Sequence, residues 1–304
     1  MNAGIRKKLA ATVAVASTAV ALTVAAPSSS TAKSQAAGLQ AFAITSDGSR
    51  MAMFTTDRPD VLDWVRVVKG LSGDTVLVGI DFRVQNGLMY GVGDQGGIYT
   101  IKTPPQTTDV VVTKVSQLTI PLYGTNFGVD FNPAANRLRV ISDNGQNLRH
   151  NIDDKTAGAS PAAGHTVEDS ILSTPGSENV SRGVTAAAYT NNDLNADTAT
   201  TLFDINTTTD QIVVQSPANN GTLAATGKLG VNAGPNAGFD IYSDLVNGKT
   251  VSATGFAAIT PPNSTLTTFY TVDVLTGAAT PAGTVDPWFP LTIGDVAVAL
   301  DTNP

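Results

Sequence analysis

Short runs of alternating apolar and polar residues, broken every few positions by turn formers, run along most of the chain. Leu88-Met89-Tyr90-Gly91-Val92 and Gly97-Ile98-Tyr99-Thr100-Ile101 read as two strands, and Val110 to Leu118 alternates into a third. Arg137 to Ile141 and Gln146 to His150 repeat the pair further on, as do Thr250 to Phe256 and Thr268 to Asp273. Asn86-Gly87 and Asp143-Asn144-Gly145 supply turn chemistry between them. No long 3.6-residue periodicity interrupts the pattern, so helices are expected to be few.

The runs are organised by a repeat. Gly79-Ile80-Asp81-Phe82, Gly128-Val129-Asp130-Phe131 and Gly238-Phe239-Asp240-Ile241 match one another. Arg182-Gly183-Val184-Thr185 aligns with Thr in place of Asp, and Gly294-Asp295-Val296-Ala297 is a degenerate last copy. The glycines lie 49 to 56 residues apart, and each interval holds about four strands, the size of a propeller blade. The first ordered part opens on a second-type strand, Ala41 to Thr45, and lacks a first. The tail, Ile293 to Leu300, is a first strand without followers. Pairing the two closes a ring and leaves no open sheet edge. The expected fold is therefore all-β: a β-propeller of about five four-stranded blades, closed by the C-terminal strand in the N-terminal blade. Six blades, a β-sandwich and an open β-solenoid are the competing architectures.

Composition agrees. The acidic residues comprise 23 Asp and only two Glu, Glu168 and Glu178; Asp favours turns where Glu favours helices. Charged residues make up 14% and the net charge is −7, with no basic run outside the N-terminus, which argues against nucleic-acid binding. Absence of cysteine excludes disulfides, thiolate catalysis and cysteine-ligated zinc.

The N-terminus carries an address. Arg6, Lys7 and Lys8 precede an uncharged stretch from Leu9 to Ala26 and a Ser/Ala/Thr-rich segment, with Ser30-Thr31-Ala32 as a cleavage site of small residues. The expected organisation is a signal peptide over 1–32, a linker over 33–38 and one propeller domain over 39–304. That makes the chain secreted, extracellular or cell-wall associated, without stable membrane insertion after cleavage. A retained anchor is the rival reading of the same stretch.

Two segments, Gly128-Val129-Asp130-Phe131-Asn132-Pro133 and Ser142-Asp143-Asn144-Gly145-Gln146-Asn147-Leu148-Arg149, resemble the bacterial family known as domain of unknown function 4394. The similarity runs from Leu39 to about Leu300. It implies an exported, propeller-like domain without assigned activity, and carries no catalytic residues.

Candidate chemistry is sparse. If each Gly-x-Asp opens an innermost strand, Asp81, Asp130, Asp240 and Asp295 meet near one mouth of the channel. There they either hold a hard cation such as Ca²⁺ or accept backbone N–H bonds from the next blade, and repetition favours the second use. Thr185 breaks the ring. Within Ser142 to Arg149, Asp143, Asn144, Gln146, Asn147 and Arg149 are the best candidates for a ligand-binding face; the alternative is that they satisfy the turn around them. Asp193-Leu194-Asn195-Ala196-Asp197, with Asp204 at the twelfth position, resembles the start of a calcium loop, but Thr198 stands where glycine is needed. Gly91 to Gly96 formally spells G-x-G-x-x-G; a strand follows it, so it is a hairpin. His150 and His165 are expected at the surface. No G-x-S-x-G elbow or HExxH occurs. The leading expectation is a secreted, non-catalytic binding or scaffold module for an unidentified sugar, peptide or small molecule, with no assured cofactor. The alternative is a calcium-dependent propeller hydrolase or lactonase centred on the channel.

Overall fold

A computed structural model describes residues 38–103, 105–177 and 179–302. The expected signal segment and all but the last residue of the linker lie outside them, as does Glu178. In chain order the strands are β1 (Gln40–Thr45), β2 (Arg50–Thr55), β3 (Trp64–Lys69), β4 (Leu77–Arg83), β5 (Leu88–Gly93), β6 (Gly97–Ile101) and β7 (Val110–Gln117). Next come β8 (Phe127–Asn132), β9 (Arg137–Ser142), β10 (Asn147–His150), β11 (Thr166–Glu168), β12 (Val184–Tyr189), β13 (Leu202–Asn206), β14 (Gln211–Gln215) and β15 (Leu223–Lys228). The last are β16 (Ala237–Val246), β17 (Lys249–Ile259), β18 (Thr268–Val272), β19 (Ala279–Pro281) and β20 (Ile293–Val298). The only helical element among the described residues is a single 3₁₀ turn, Ala218–Asn220.

These strands fall into five antiparallel groups of four. Blade 1 is β20-β1-β2-β3, blade 2 is β4 to β7, blade 3 is β8 to β11, blade 4 is β12 to β15 and blade 5 is β16 to β19. The inner strands form a circuit: β4 packs on β20 and β8, β12 on β8 and β16, and β16 on β20. The chain is thus an all-β propeller. Closure follows the expected route, with Ala41 opposite Val298, Phe42 opposite Ala297 and Ala43 opposite Val296. One pairing had no sequence signal. The outer strands of blades 1 and 2 run parallel at Val68–Val110 and Lys69–Val111, merging the two blades into one eight-stranded sheet.

Burial explains the strand compositions. Inner strands are covered on both sides, so β12 reads Val-Thr-Ala-Ala-Ala-Tyr and is buried throughout. Outer strands are half exposed, and β7 begins with a buried-exposed alternation. Near the axis the blades converge until side chains no longer fit. A Cβ at Gly128 would lie 2.6 Å from Ala187 N, and one at Gly238 would lie 2.5 Å from Asp295 Cα. Between successive blades lie five apolar clusters, one per seam.

The registers correct the repeat. Asp81 opposes Tyr90, Asp130 opposes Arg139 and Asp240 opposes Phe256, which are equivalent places. In blade 4 the equivalent residue, opposite Phe203, is Ala188; in blade 1 it is Ala297, opposite Phe42. Thr185 therefore sits three residues before the Asp position and Asp295 two before it. Matching by the nearest glycine slipped because the packed-glycine place, two residues before the Asp position, is Ala186 in blade 4 and Asp295 in blade 1, while Gly183 precedes β12 and Gly294 is the second residue of β20.

Candidate functional site

The inner-strand carboxylates are latches between blades. Asp81 Oδ2 accepts from Phe131 N at 2.8 Å, and Asp240 Oδ2 accepts from Val298 N at 2.6 Å. Asp130 accepts the backbone N–H of Tyr189. Each donor is one residue beyond the Asp position of the next blade, so the same bond recurs around the ring. Asp295, shifted by two residues, accepts from Ile80 N at 2.9 Å, a donor shifted by the same amount. Every one of these side chains is buried, and a buried carboxylate without such a donor would leave acceptors unmet.

Blades 2, 3 and 5 are not all neighbours, so Asp81, Asp130 and Asp240 can meet only on the axis. One carboxylate oxygen of each lies within 4.8 Å of the others. Burial pushes the Asp81 carboxyl well above the ordinary range, and the Asp240 charge adds to it. Asp130 is raised by burial and then by Asp81 and Asp240; Asp240 is pushed up to about 6 by burial. Three carboxylates this close cannot all stay ionised unaided. They share protons or hold a cation. Separations of no more than 4.8 Å let one ion reach all three at a calcium–oxygen distance of about 2.4 Å, and the oxygen donors are of the hard type such an ion takes.

Above this layer the channel opens into a mouth of about 470 Å³. The ends of all five inner strands line it, including Leu77, Phe127, Thr185, Ala237 and Gly294. Its polar groups include Asn126, Asn236, Asp47 and Asp94, and no lysine or arginine contributes. Asp47 is held below the ordinary range by hydrogen bonds from Thr45 and Ser49. At Asp94, burial acts upward, but bonds from Thr75, Gln95 and Val76 together pull it down. Thr185 is buried, and its hydroxyl has no hydrogen-bond partner among the described residues.

The side chains of the Ser142–Arg149 segment are mostly taken up by bonds to neighbouring segments. Asp143 accepts from Thr125 N and Asn126 Nδ2, and Asn144 accepts from Arg182. Gln146 is buried, donating to Pro121 O and accepting from Tyr123 N. Asn147, fully buried, donates to Ser170 O and Ala218 O. Arg149 borders a cavity between blades 3 and 4. The other motifs resolve simply. Asp193 accepts from Asn195 N and from Thr250 N of blade 5, while Asp204 lies in β13, so no calcium loop is built. Gly91 to Gly96 is the β5–β6 hairpin. His150 is a correction: it is fully buried, its ring bonded to Ser116 Oγ at 2.9 Å and Thr166 Oγ1 at 3.0 Å. Burial, with a smaller effect of His165, lowers its pKa to about 4.

The family described as Domain of unknown function (DUF4394) matches residues 50–297. The chain belongs to this family. No curated protein matches it. Among solved structures, a chain of the nidogen/laminin complex is similar at TM-score 0.44 and 10% identity, over 86% of this chain and 99% of that one. The Dos1 propeller is similar at TM-score 0.37 and 10% identity, over 80% and 60%. Kuenenia stuttgartiensis hydrazine synthase is similar at 0.39 and 10%, over 72% of this chain, which spans about half (52%) of that one. Among the described residues no helix is long and apolar enough to cross a membrane.

Proposed function

We propose that this DUF4394 propeller is an exported, non-catalytic binding module whose ligand seats in the axial mouth. The observation that carries this reading is Thr185: a buried hydroxyl without a partner, at the wall of a cavity lined by all five blades. Leaving a hydroxyl unmet costs free energy unless something else completes it. The lining, rich in amide and hydroxyl groups and acidic where charged, suits a neutral polyhydroxylated ligand such as a sugar and disfavours anions. Export is supported by the basic, apolar and small-residue layout of residues 1–32. N-terminal sequencing of protein from culture medium should find a start near residue 33; a start at Met1 would refute export through this signal.

Calorimetric titration with a panel of neutral saccharides tests the site. Thr185→Val keeps shape and removes only the hydroxyl, so the fold should hold while affinity falls about tenfold. Absence of saturable binding, or equal affinity in the variant, would overturn the proposal.

The axial trio favours a second reading, a cation-dependent hydrolase. In it Asp81, Asp130 and Asp240 hold the ion, with Asp295 beside them, and a further Asp serves as base. Stoichiometric calcium in the purified protein, with a melting temperature lowered by EDTA and activity on lactones or esters, would favour it. Metal-free protein indifferent to EDTA would remove it.

A further inference from the structure

We infer that the seam between blades 3 and 4 holds a second binding site, one for a small carboxylate-bearing ligand of about the size of an acidic monosaccharide. Arg137 and Arg139 alternate on β9, so they share a face, and Arg149 opposes Arg139 across the β9–β10 pair. All three border one cavity of about 320 Å³ together with Asn132, Tyr189 and Asn219. Tyr189 and Asn219 belong to blade 4, so the site exists only where two blades meet.

The charges do not balance. Asp169 takes Arg139 at 2.8 Å and both Nε and Nη2 of Arg149 at 3.0 Å; Asp154 takes Arg137 at 2.9 Å. Three guanidinium groups thus share two carboxylates, in a chain whose net charge is −7. The side chains of Arg139 and Arg137 are 2% and 6% exposed, and a buried, unbalanced cation is costly. A third carboxylate, Asp204, is turned toward the same seam, since its cross-strand partners Ala187 and Val213 both belong to that seam's apolar cluster. Neither of its oxygens has a hydrogen-bond partner among the described residues. It makes no ion pair with any of the three arginines among the described residues, so it completes none of their guanidinium groups; burial raises its pKa well above the ordinary range, with Arg139 opposing.

The hydrogen bonds of Arg137 run from Nε and Nη1, none from Nη2 among the described residues, and Arg137 lines the cavity. A ligand carboxylate there would complete its guanidinium, the planar donor suited to that geometry. Asn219 Oδ1 and the Tyr189 oxygen accept from Arg139 and Asn132 Oδ1 from Ala135 N, which leaves the Asn219 and Asn132 amide N–H groups and the Tyr189 O–H as donors to ligand hydroxyls. This chemistry is the opposite of the axial mouth, which has acidic side chains and no cation, so the two sites select different ligands.

Thermal shift and calorimetric titration of the mature protein with glucuronate, glucose, acetate and sulfate test the proposal. Glucuronate should bind saturably and raise the melting temperature, at least tenfold more tightly than the other three. Arg137→Gln should weaken binding at least tenfold. Because that change also loosens the Asp154 contact, Ala159→Phe is the second variant. Ala159 lines the same cavity, so an added ring fills it while all three arginines are kept, and the change should abolish binding with the melting temperature of the free protein kept. No saturable glucuronate binding, or binding unchanged in Ala159→Phe, would overturn the site. Equal affinity for acetate, sulfate or glucose would overturn the assigned ligand class.

Discussion

Two of the five seams solve the same packing problem in opposite ways. Where blade 5 meets blade 1, Phe54, Phe256, Phe269 and Phe289 fill the gap. Phe54 stands edge-on to Phe269 and Phe289 at 5.2 and 4.8 Å, and Phe256 stacks on Phe269 at 5.6 Å. Where blade 3 meets blade 4, Ile141, Val184, Tyr189 and Leu202 share the space with Arg139, Asn147, Asp204 and Gln215, all buried. Aromatic burial is non-directional and strongly favourable, which suits the seam packed against the closing strands β1 and β20. The polar seam gains less from burial and demands matched partners. The arginine cavity opens at this seam, so its polar side chains are placed to serve recognition as well as packing.

Truncation should separate the two. Phe269→Ala is expected to lose about 3–5 kcal/mol by the cavity it leaves. Arg139→Met should lose a comparable amount, about 3–5 kcal/mol, because Asp169 is left buried with fewer partners; urea unfolding of both variants is the measurement. A loss below about 1 kcal/mol for Arg139→Met would mean the polar seam is not structural.

The axial latches come next. Asp130→Ala should lose about 1–3 kcal/mol, since the Tyr189 N–H is left unmet. Asp204→Leu should move the other way and stabilise by about 1–2 kcal/mol, because it replaces a carboxyl without partners by an apolar side chain. Chemical denaturation reads both signs in one experiment.

The smallest effects are in pH. Asp240 titrates at about 6 in the fold, above an unfolded value near 3.8, so the folded state binds its proton more tightly. Its stabilisation is complete below about pH 4 and is lost as pH rises through 6. His150, lowered to about 4 from 6.5, does the reverse: its contribution is intact above 6.5 and is lost as pH falls toward 4. The two oppose each other within one window. Melting curves from pH 4 to 7.5 should show Asp240→Asn gaining on the wild type as pH rises. His150→Gln should gain as pH falls. Parallel curves for either variant would contradict its assignment.

Much of the architecture is legible in the sequence. Leu88 to Val92, Gly97 to Ile101 and the orphan tail strand became β5, β6 and β20, because period-two alternation and Gly/Asn turns are local signals. The axial site was readable in part. Asp81, Asp130 and Asp240 meet as the repeat implied, but Thr185 and Asp295 were matched to the wrong level, since pairing register is set across strands. The arginine seam left one trace: Arg137-Leu138-Arg139-Val140-Ile141 places charges in a strand that a propeller buries completely. Treated as a contradiction, that run would have pointed to it.

Local chemistry along the chain therefore determined where strands and turns fall, that they repeat, and that the ends complete each other. Only the tertiary structure decided which buried carboxylates meet at the axis, which alanines replace the missing carboxylates, and which three arginines line one cavity. Those outcomes depend on contacts between residues tens to hundreds of positions apart, whose distances follow from how five wedges close rather than from any segment's own pattern.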